Sequence, residues 1–254
     1  MLELKHRFFS PTVKRAKCAF GAIALLRVEY KSIYLTLFCV VALTSCGQSR
    51  PPKAFTVFNE GVAYSLDAMQ ATDATKAAAS ERKAIEKYRQ TLQLDSTHGM
   101  VRAALGHSHY LLDEYPQAIQ WFEASNRLDT ASVAVYRELG ICRIAMNQSE
   151  LGWNDLQNAF RLDSLSATGS LAETKMRTAD DLYNLGCQVF EYGETCDQQG
   201  KVEEGRRFKE SGLNSLFMAY DIDSARKDIA KAIAERTGKL GDIALQKKYL
   251  KLSK

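Results

Sequence analysis

The chain has 254 residues, 46% of them hydrophobic and 25% charged, a balance that excludes a disordered or collagen-like polymer. Four prolines and 15 glycines leave little room for a many-turned β protein. The net charge of +4 lends no support to nucleic-acid binding: seven of the 34 basic residues but only two of the 30 acids precede Cys46, and from Cys46 onward bases and acids stand at 27 to 28.

The first element in chain order is a leader. Residues 33–42 read IYLTLFCVVA behind Lys31. The run is shorter than the roughly 20 residues of a membrane-spanning helix, but it suits a signal-peptide core. It ends in LTSC, residues 43–46, and the chain then turns polar at once as GQSRPPK. An aliphatic residue, two small residues and a cysteine suit a peptidase cleft that takes an extended backbone, and the pattern resembles the lipobox of bacterial lipoproteins. The resemblance implies cleavage before Cys46 and lipid attachment there. It divides the chain into a signal peptide (1–45), a lipidated cysteine with a short tether (46–53) and a folded domain (54–254). Forty-five residues is long for such a leader, and a second apolar run, CAFGAIALL, lies upstream at 18–26. Either translation starts near Leu26 or Val28, or the leader carries two hydrophobic runs. No acid follows Cys46 directly, so the resemblance points to the cell envelope, at the outer membrane facing the periplasm.

A repeat follows. Leu94, Leu128 and Leu162 are 34 residues apart, as are Asp95, Asp129 and Asp163, each Asp followed by Ser or Thr. Leu105-Gly106 and Leu139-Gly140 keep the same period, Leu185-Gly186 supplies a third pair, and a further Asp-Ser stands at Asp223. Small residues at Gly106, Ala118 and Gly140 allow close helix approach, while Leu105, Phe122, Leu139 and Leu156 fill the space between. Tyr115-Pro116 places proline in a first helical turn, where its missing N–H costs nothing. Asp129 and Asp163, with Thr130 and Ser164, are expected to supply capping oxygens for the turn into the next helix. This period and pattern resemble the tetratricopeptide repeat, TPR, best over 99–132 and 133–166.

The implied fold is all-α: a TPR-like solenoid of helical hairpins with about three to five repeats, the outer ones degenerate. A first helix is predicted around 55–70, then an Ala/Thr-rich insertion at 71–80 and a second helix carrying Ala84, Ile85 and Tyr88. An extra segment at 165–178 breaks the period, the hairpin after Gly186 has two lengthened helices, and the tail at 225–254 reads as a capping pair of helices.

Chemical motifs are absent from the pattern. His107 and His109 do not share a helix face, no zinc or phosphate-loop spacing occurs, and no cofactor, metal or catalytic residue is predicted; the chain is not read as an enzyme. Cys142, Cys187 and Cys196 are expected to be free thiols, Cys196 in an exposed polar stretch, and the paired acids Asp180-Asp181 and Glu203-Glu204 to mark solvated faces. What the resemblance adds is a concave groove lined by first helices. Carried over, it gives Met100, Ala103, His107, Tyr110 and Leu111, then Ala134, Arg137, Ile141 and Ile144, then Asp180, Tyr183, Cys187 and Phe190. The lining is mostly apolar and lacks the lysines and asparagines of a carboxylate clamp. The implied function is a membrane-tethered scaffold that binds a hydrophobic helix or extended segment of a partner protein. The alternative is a lipoprotein enzyme or substrate-binding protein with a cryptic site in the array.

Overall fold

Five helical hairpins follow one another in the computed structural model, which describes residues 53–128, 132–167 and 169–254. They are α1 (Lys53–Gln70) with α2 (Ala74–Leu94), α3 (Val101–Leu111) with α4 (Tyr115–Asn126), α5 (Val133–Ala145) with α6 (Ser149–Leu165), α7 (Leu171–Gln198) with α8 (Val202–Ile222), and α9 (Lys227–Lys239) with α10 (Ile243–Leu252). Within each hairpin the helices pack side by side; the second helix also packs on the first helix of the next hairpin, and α3, α5 and α7 touch in succession. That is a TPR-like solenoid. All of it belongs to one unit, Pro51–Lys254. The leader, Cys46 and its tether up to Pro52 lie outside the described residues, as do Asp129 and Thr130.

One turn is used four times. Asp113, Asn147, Gly200 and Gly241 have positive φ, between 56° and 79°. In each case the next N–H reaches back to the carbonyl five residues earlier: Glu114 to His109 at 2.9 Å, Gln148 to Arg143 at 2.8 Å, Lys201 to Cys196 at 2.9 Å and Asp242 to Thr237 at 3.0 Å. The positive-φ residue bonds three back, as Asp113 does to Tyr110 at 3.0 Å. This is the Schellman ending of a helix, and Gly, Asn and Asp are the residues that tolerate it. The following helix then starts two residues on, at Tyr115, Ser149, Val202 and Ile243. Asp73, Ser132, Ser170 and Asp242 cap helix N-termini through their side chains.

The periodic small residues set how near the paired helices come. A Cβ placed on Gly106 would lie 2.5 Å from the Phe122 ring, and one on Gly61 would lie 2.5 Å from Tyr88. In α5/α6 the contact is backbone to backbone: a Cβ on Gly140 would stand 2.8 Å from the Gly152 carbonyl, and the reverse is 2.6 Å. The α7/α8 hairpin repeats this device twice, with Gly186 against Gly212 and Gly193 against Gly205. Gly193 lies seven residues before the turn residue Gly200, as Gly106 and Gly140 lie before Asp113 and Asn147. The hairpin is therefore an ordinary one lengthened by seven residues, two turns or about 10 Å, on each helix. The Asn214 amide donates to Ser149 Oγ at 3.0 Å, which sets the neighbouring α5/α6 turn level with the middle of α8, near Gly212.

Three clusters of buried side chains follow one another. Phe58, Ala84, Ile85, Tyr88, Val101 and Leu105 form the first. The second holds Ala118, Phe122, Val135, Leu139 and Cys142, and the third runs from Ile141 and Leu156 to Ile233 and Tyr249. The irregular stretches of the sequence became helix: the Ala/Thr insertion forms the first turns of α2 behind its Asp73 cap, and the extra segment opens α7. Asp163 is not a cap for the next helix. It is buried in the last turn of α6 beside Gly169, and Ser170 caps α7 instead. Asp95 and Asp223 do turn the chain, each accepting the N–H two residues on. Cys142, Cys187 and Cys196 are free, but Cys196 is buried rather than exposed, since it lies one turn past Gly193 on the side that meets α8.

Candidate binding groove

Gly61, Gly106, Gly140 and Gly186 each face their own partner helix, so residues at equal offsets from them occupy equal places on α1, α3, α5 and α7. Six before, one after and five after give Phe55, Val62 and Leu66 on α1, and Met100, His107 and Leu111 on α3. On α5 the same places hold Ala134, Ile141 and Ala145; on α7 they hold Asp180, Cys187 and Glu191. Large apolar side chains stay open to solvent at the first two sets: Phe55 42%, Leu66 51%, Met100 55% and Leu111 44% exposed. Met69, one turn beyond Leu66, is 74% exposed. A folded chain that leaves such side chains open at equal places on successive first helices offers apolar surface suited to a partner.

Between α3, α5 and α7 the surface becomes polar. His107 Nδ1 lies 2.8 Å from Glu138 Oε2, Arg137 bonds both Glu138 and Asp181, and these side chains tie the three first helices together. Burial alone would lower the His107 imidazolium; the charge and hydrogen bond of Glu138, with Glu81 behind it, outweigh this and raise it above the ordinary histidine value. Arg137 is likewise opposed by burial and held charged by Glu138 and Asp181. Burial, with the charge of Asp181, pushes the Tyr110 hydroxyl far above the ordinary phenol value, so it stays a neutral donor and acceptor.

A cavity of about 190 Å³ opens beside this network, with Tyr110, Leu111, Asp113 and Tyr115 on one side, Ile141 at its base, and Asp181, Asn184, Leu185 and Gln188 of α7 opposite. Of the residues expected to line a groove, the structure brings Tyr110, Leu111 and Ile141 together here. His107 and Arg137 belong to the ion-pair network that adjoins it. Met100 stands at the other end of α3, just before its first residue, and Tyr183 is half-buried against the third cluster. Ile144 and Phe190 are corrected. Both are buried: Ile144 lies against Gly152 inside α5/α6, and Phe190 lies against Gly212 of α8 and beneath Arg236 and Lys239 of α9. Neither offers a surface to a ligand, because the glycine pairs bring the second helices close enough to cover them.

Sequence reasoning missed Glu138, Asp181, Asn184 and Gln188. Asp181 is not simply solvated: it crosses to Arg137, and Asp180 pairs with Arg226 at 2.6 Å. The adjacent Arg137-Glu138 and Asp180-Asp181 were the available signals, one charge pair on each of two neighbouring first helices. Among the described residues no three His, Cys, Asp or Glu side chains are placed to hold a metal ion, and no helix is long and apolar enough to cross a membrane.

No family model matches the chain, and no curated protein does. Solved structures do. One is YrrB, described as a TPR protein with an unusual peptide-binding site, at 16% identity and TM-score 0.47 over 84% of this chain and 90% of that one. Another is MamA, at 19% identity and TM-score 0.42 over 71% of this chain and 91% of that one. A third is the Cut9–Hcn1 hetero-tetramer of APC/C, at 17% and 0.38 over 87% of this chain and 42% of that one. These distances are too large to carry a function across.

Proposed function

We propose that the chain is a scaffold that binds a protein segment through its apolar N-terminal first helices, and that lipid on Cys46 tethers it to a membrane of the cell envelope. The observation that supports binding is the set of exposed apolar side chains Phe55, Leu66, Met69, Met100 and Leu111 on the first two first helices, with Leu111 also lining the cavity beside Tyr110 and Ile141. An amphipathic helix or extended strand of a partner would bury those side chains in successive contacts. The observation that supports the tether is the LTSC pattern at residues 43–46 with its preceding apolar run.

A photo-crosslinking residue at Leu111 should capture one defined partner in cells, and the same residue at the exposed Tyr192, on the lengthened hairpin, should not. Capture should fall in a Tyr110→Ala, Tyr183→Ala variant whose helicity is intact. Equal capture from both positions, or undiminished capture by the folded variant, overturns the groove. Separately, Cys46→Ala should leave unprocessed precursor or release the protein from membranes; mature, membrane-bound variant protein removes the tether and leaves the groove standing.

A further inference from the structure

The cavity beside Tyr110 has a chemistry that an apolar ligand does not use. Its two charged lining residues are both acids, Asp113 and Asp181. Arg137 pairs with Asp181, whereas Asp113 stands at the positive-φ position of the α3/α4 turn and accepts only the Tyr115 hydroxyl, at 2.8 Å, among the described residues. Glu138 stands behind as a third carboxylate that the Tyr110 hydroxyl also feels, matched by His107 and Arg137. The opposite wall offers the exposed side-chain amides of Asn184 and Gln188, one helical turn apart on α7. Two tyrosine rings, a free carboxylate edge and two side-chain amides therefore meet in one hollow with an excess of negative charge.

We propose that this cavity receives the guanidinium of an arginine side chain carried by the segment that binds the groove. This rests on the groove reading above and adds the one residue type the segment must present. At about 190 Å³ the hollow is smaller than the roughly 300–1,000 Å³ of small-molecule pockets and is of side-chain size. A guanidinium brings five donors and no acceptor, and the walls supply acceptors: Asp113 Oδ2, the tyrosine oxygens and the amide carbonyls of Asn184 and Gln188. The planar cation also lies favourably over a tyrosine face. A carboxylate ligand would meet Asp113 and Asp181 at close range, and a purely apolar one would strip water from them with nothing in return.

The test uses the full chain in detergent with labelled side-chain amides, titrated by NMR with N-acetyl-arginine amide and with the neutral isostere N-acetyl-citrulline amide. The arginine probe should shift the Asn184 and Gln188 amides saturably and bind about three- to fivefold more tightly than citrulline at low salt, the range of one partly exposed ion pair. Asp113→Asn keeps a residue that tolerates the turn and should bring arginine down to the citrulline level. Equal binding of the two probes, no saturable shift, or an undiminished arginine response in Asp113→Asn overturns the proposal. Failure here with Leu111 capture intact overturns the cavity alone; arginine selectivity with capture lost leaves the cavity and removes the groove.

Discussion

The first two hairpins and the fourth meet one packing requirement in two ways. In α1/α2 and α3/α4 one helix gives up a side chain, and an aromatic ring of its partner lies across the gap: Tyr88 over Gly61, Phe122 over Gly106. In α7/α8 both helices give up theirs, at Gly186 with Gly212 and at Gly193 with Gly205, and the backbones touch. The aromatic solution buries a large apolar side chain, and that burial stabilises. The glycine solution lets two long helices of 28 and 21 residues run closely paired, with Leu216 and Phe190 buried beside the glycines. The outer faces diverge as well. On α1 and α3 the outer groove positions, Phe55, Leu66, Met100 and Leu111, are apolar and open. On α7 two of them are acids that pair with the neighbouring hairpin, Asp180 with Arg226 at 2.6 Å and Glu191 with Arg236 at 3.6 Å, and nearby Glu194 pairs with Lys239 at 2.7 Å. The N-terminal half presents open apolar side chains at these positions, while the C-terminal half presents acids paired with bases of the following hairpin.

The sharpest way to break this contrast is to remove a ring. Phe122 is fully buried, and Phe122→Ala should cost about 3–5 kcal/mol, read as a lower midpoint in urea. A loss under about 1 kcal/mol would mean that the ring does not hold α3 to α4. The next effect is smaller and separates the two designs. Gly186→Ala puts a Cβ 2.7 Å from a backbone carbonyl that cannot swing away, so overpacking should cost about 1–3 kcal/mol, more than the roughly 1 kcal/mol that alanine gains over glycine in a helix. Gly61→Ala meets the edge of the Tyr88 ring, which can tilt, and should cost less. A stabilised Gly186→Ala variant would show that the backbones are not in contact.

The repeat made most of the fold legible. Leu-Gly pairs and Asp-Ser/Thr signatures at a 34-residue period located the hairpins, and Gly106, Ala118 and Phe122 named their own packing roles. The lengthened hairpin was legible only in outline, because its register shows when Gly193 and Gly205 are set beside Gly186 and Gly212, and those three glycines have no Leu-Gly context. The groove was legible in part. Offsets along one helix named Tyr110, Leu111 and Ile141, which lie beside one hollow with Ile141 itself almost wholly buried, but offsets carry no knowledge of what the second helix covers, so Ile144 and Phe190 seemed available. The cross-helix pairing was signalled only by the charge pairs on neighbouring first helices, not by its partners: Arg137 and Asp181 are 44 residues apart, and only the superhelix brings them together.

His107 gives the smallest and most specific effect. It sits on α3 where the open apolar half meets the charged half, facing Glu138 and Arg137 of α5, with Glu81 of α2 contributing from behind. Its folded-state pKa is raised, so the folded chain holds this proton more tightly than the unfolded one. The stabilisation is therefore complete below the unfolded value of about 6.5 and is lost as pH rises through the folded value. The side chain is 43% exposed, so screening keeps the effect below about 1 kcal/mol. Thermal melts should fall slightly from pH 6 to pH 8 in the native chain, and the His107→Gln variant should lose that slope while Glu138 keeps its bonds to Arg137. A variant with the same slope as the native chain would show that the junction between the two halves is not held by this proton. Acid groups elsewhere would then have to account for the pH dependence, and the apolar and charged halves would meet without a titratable link.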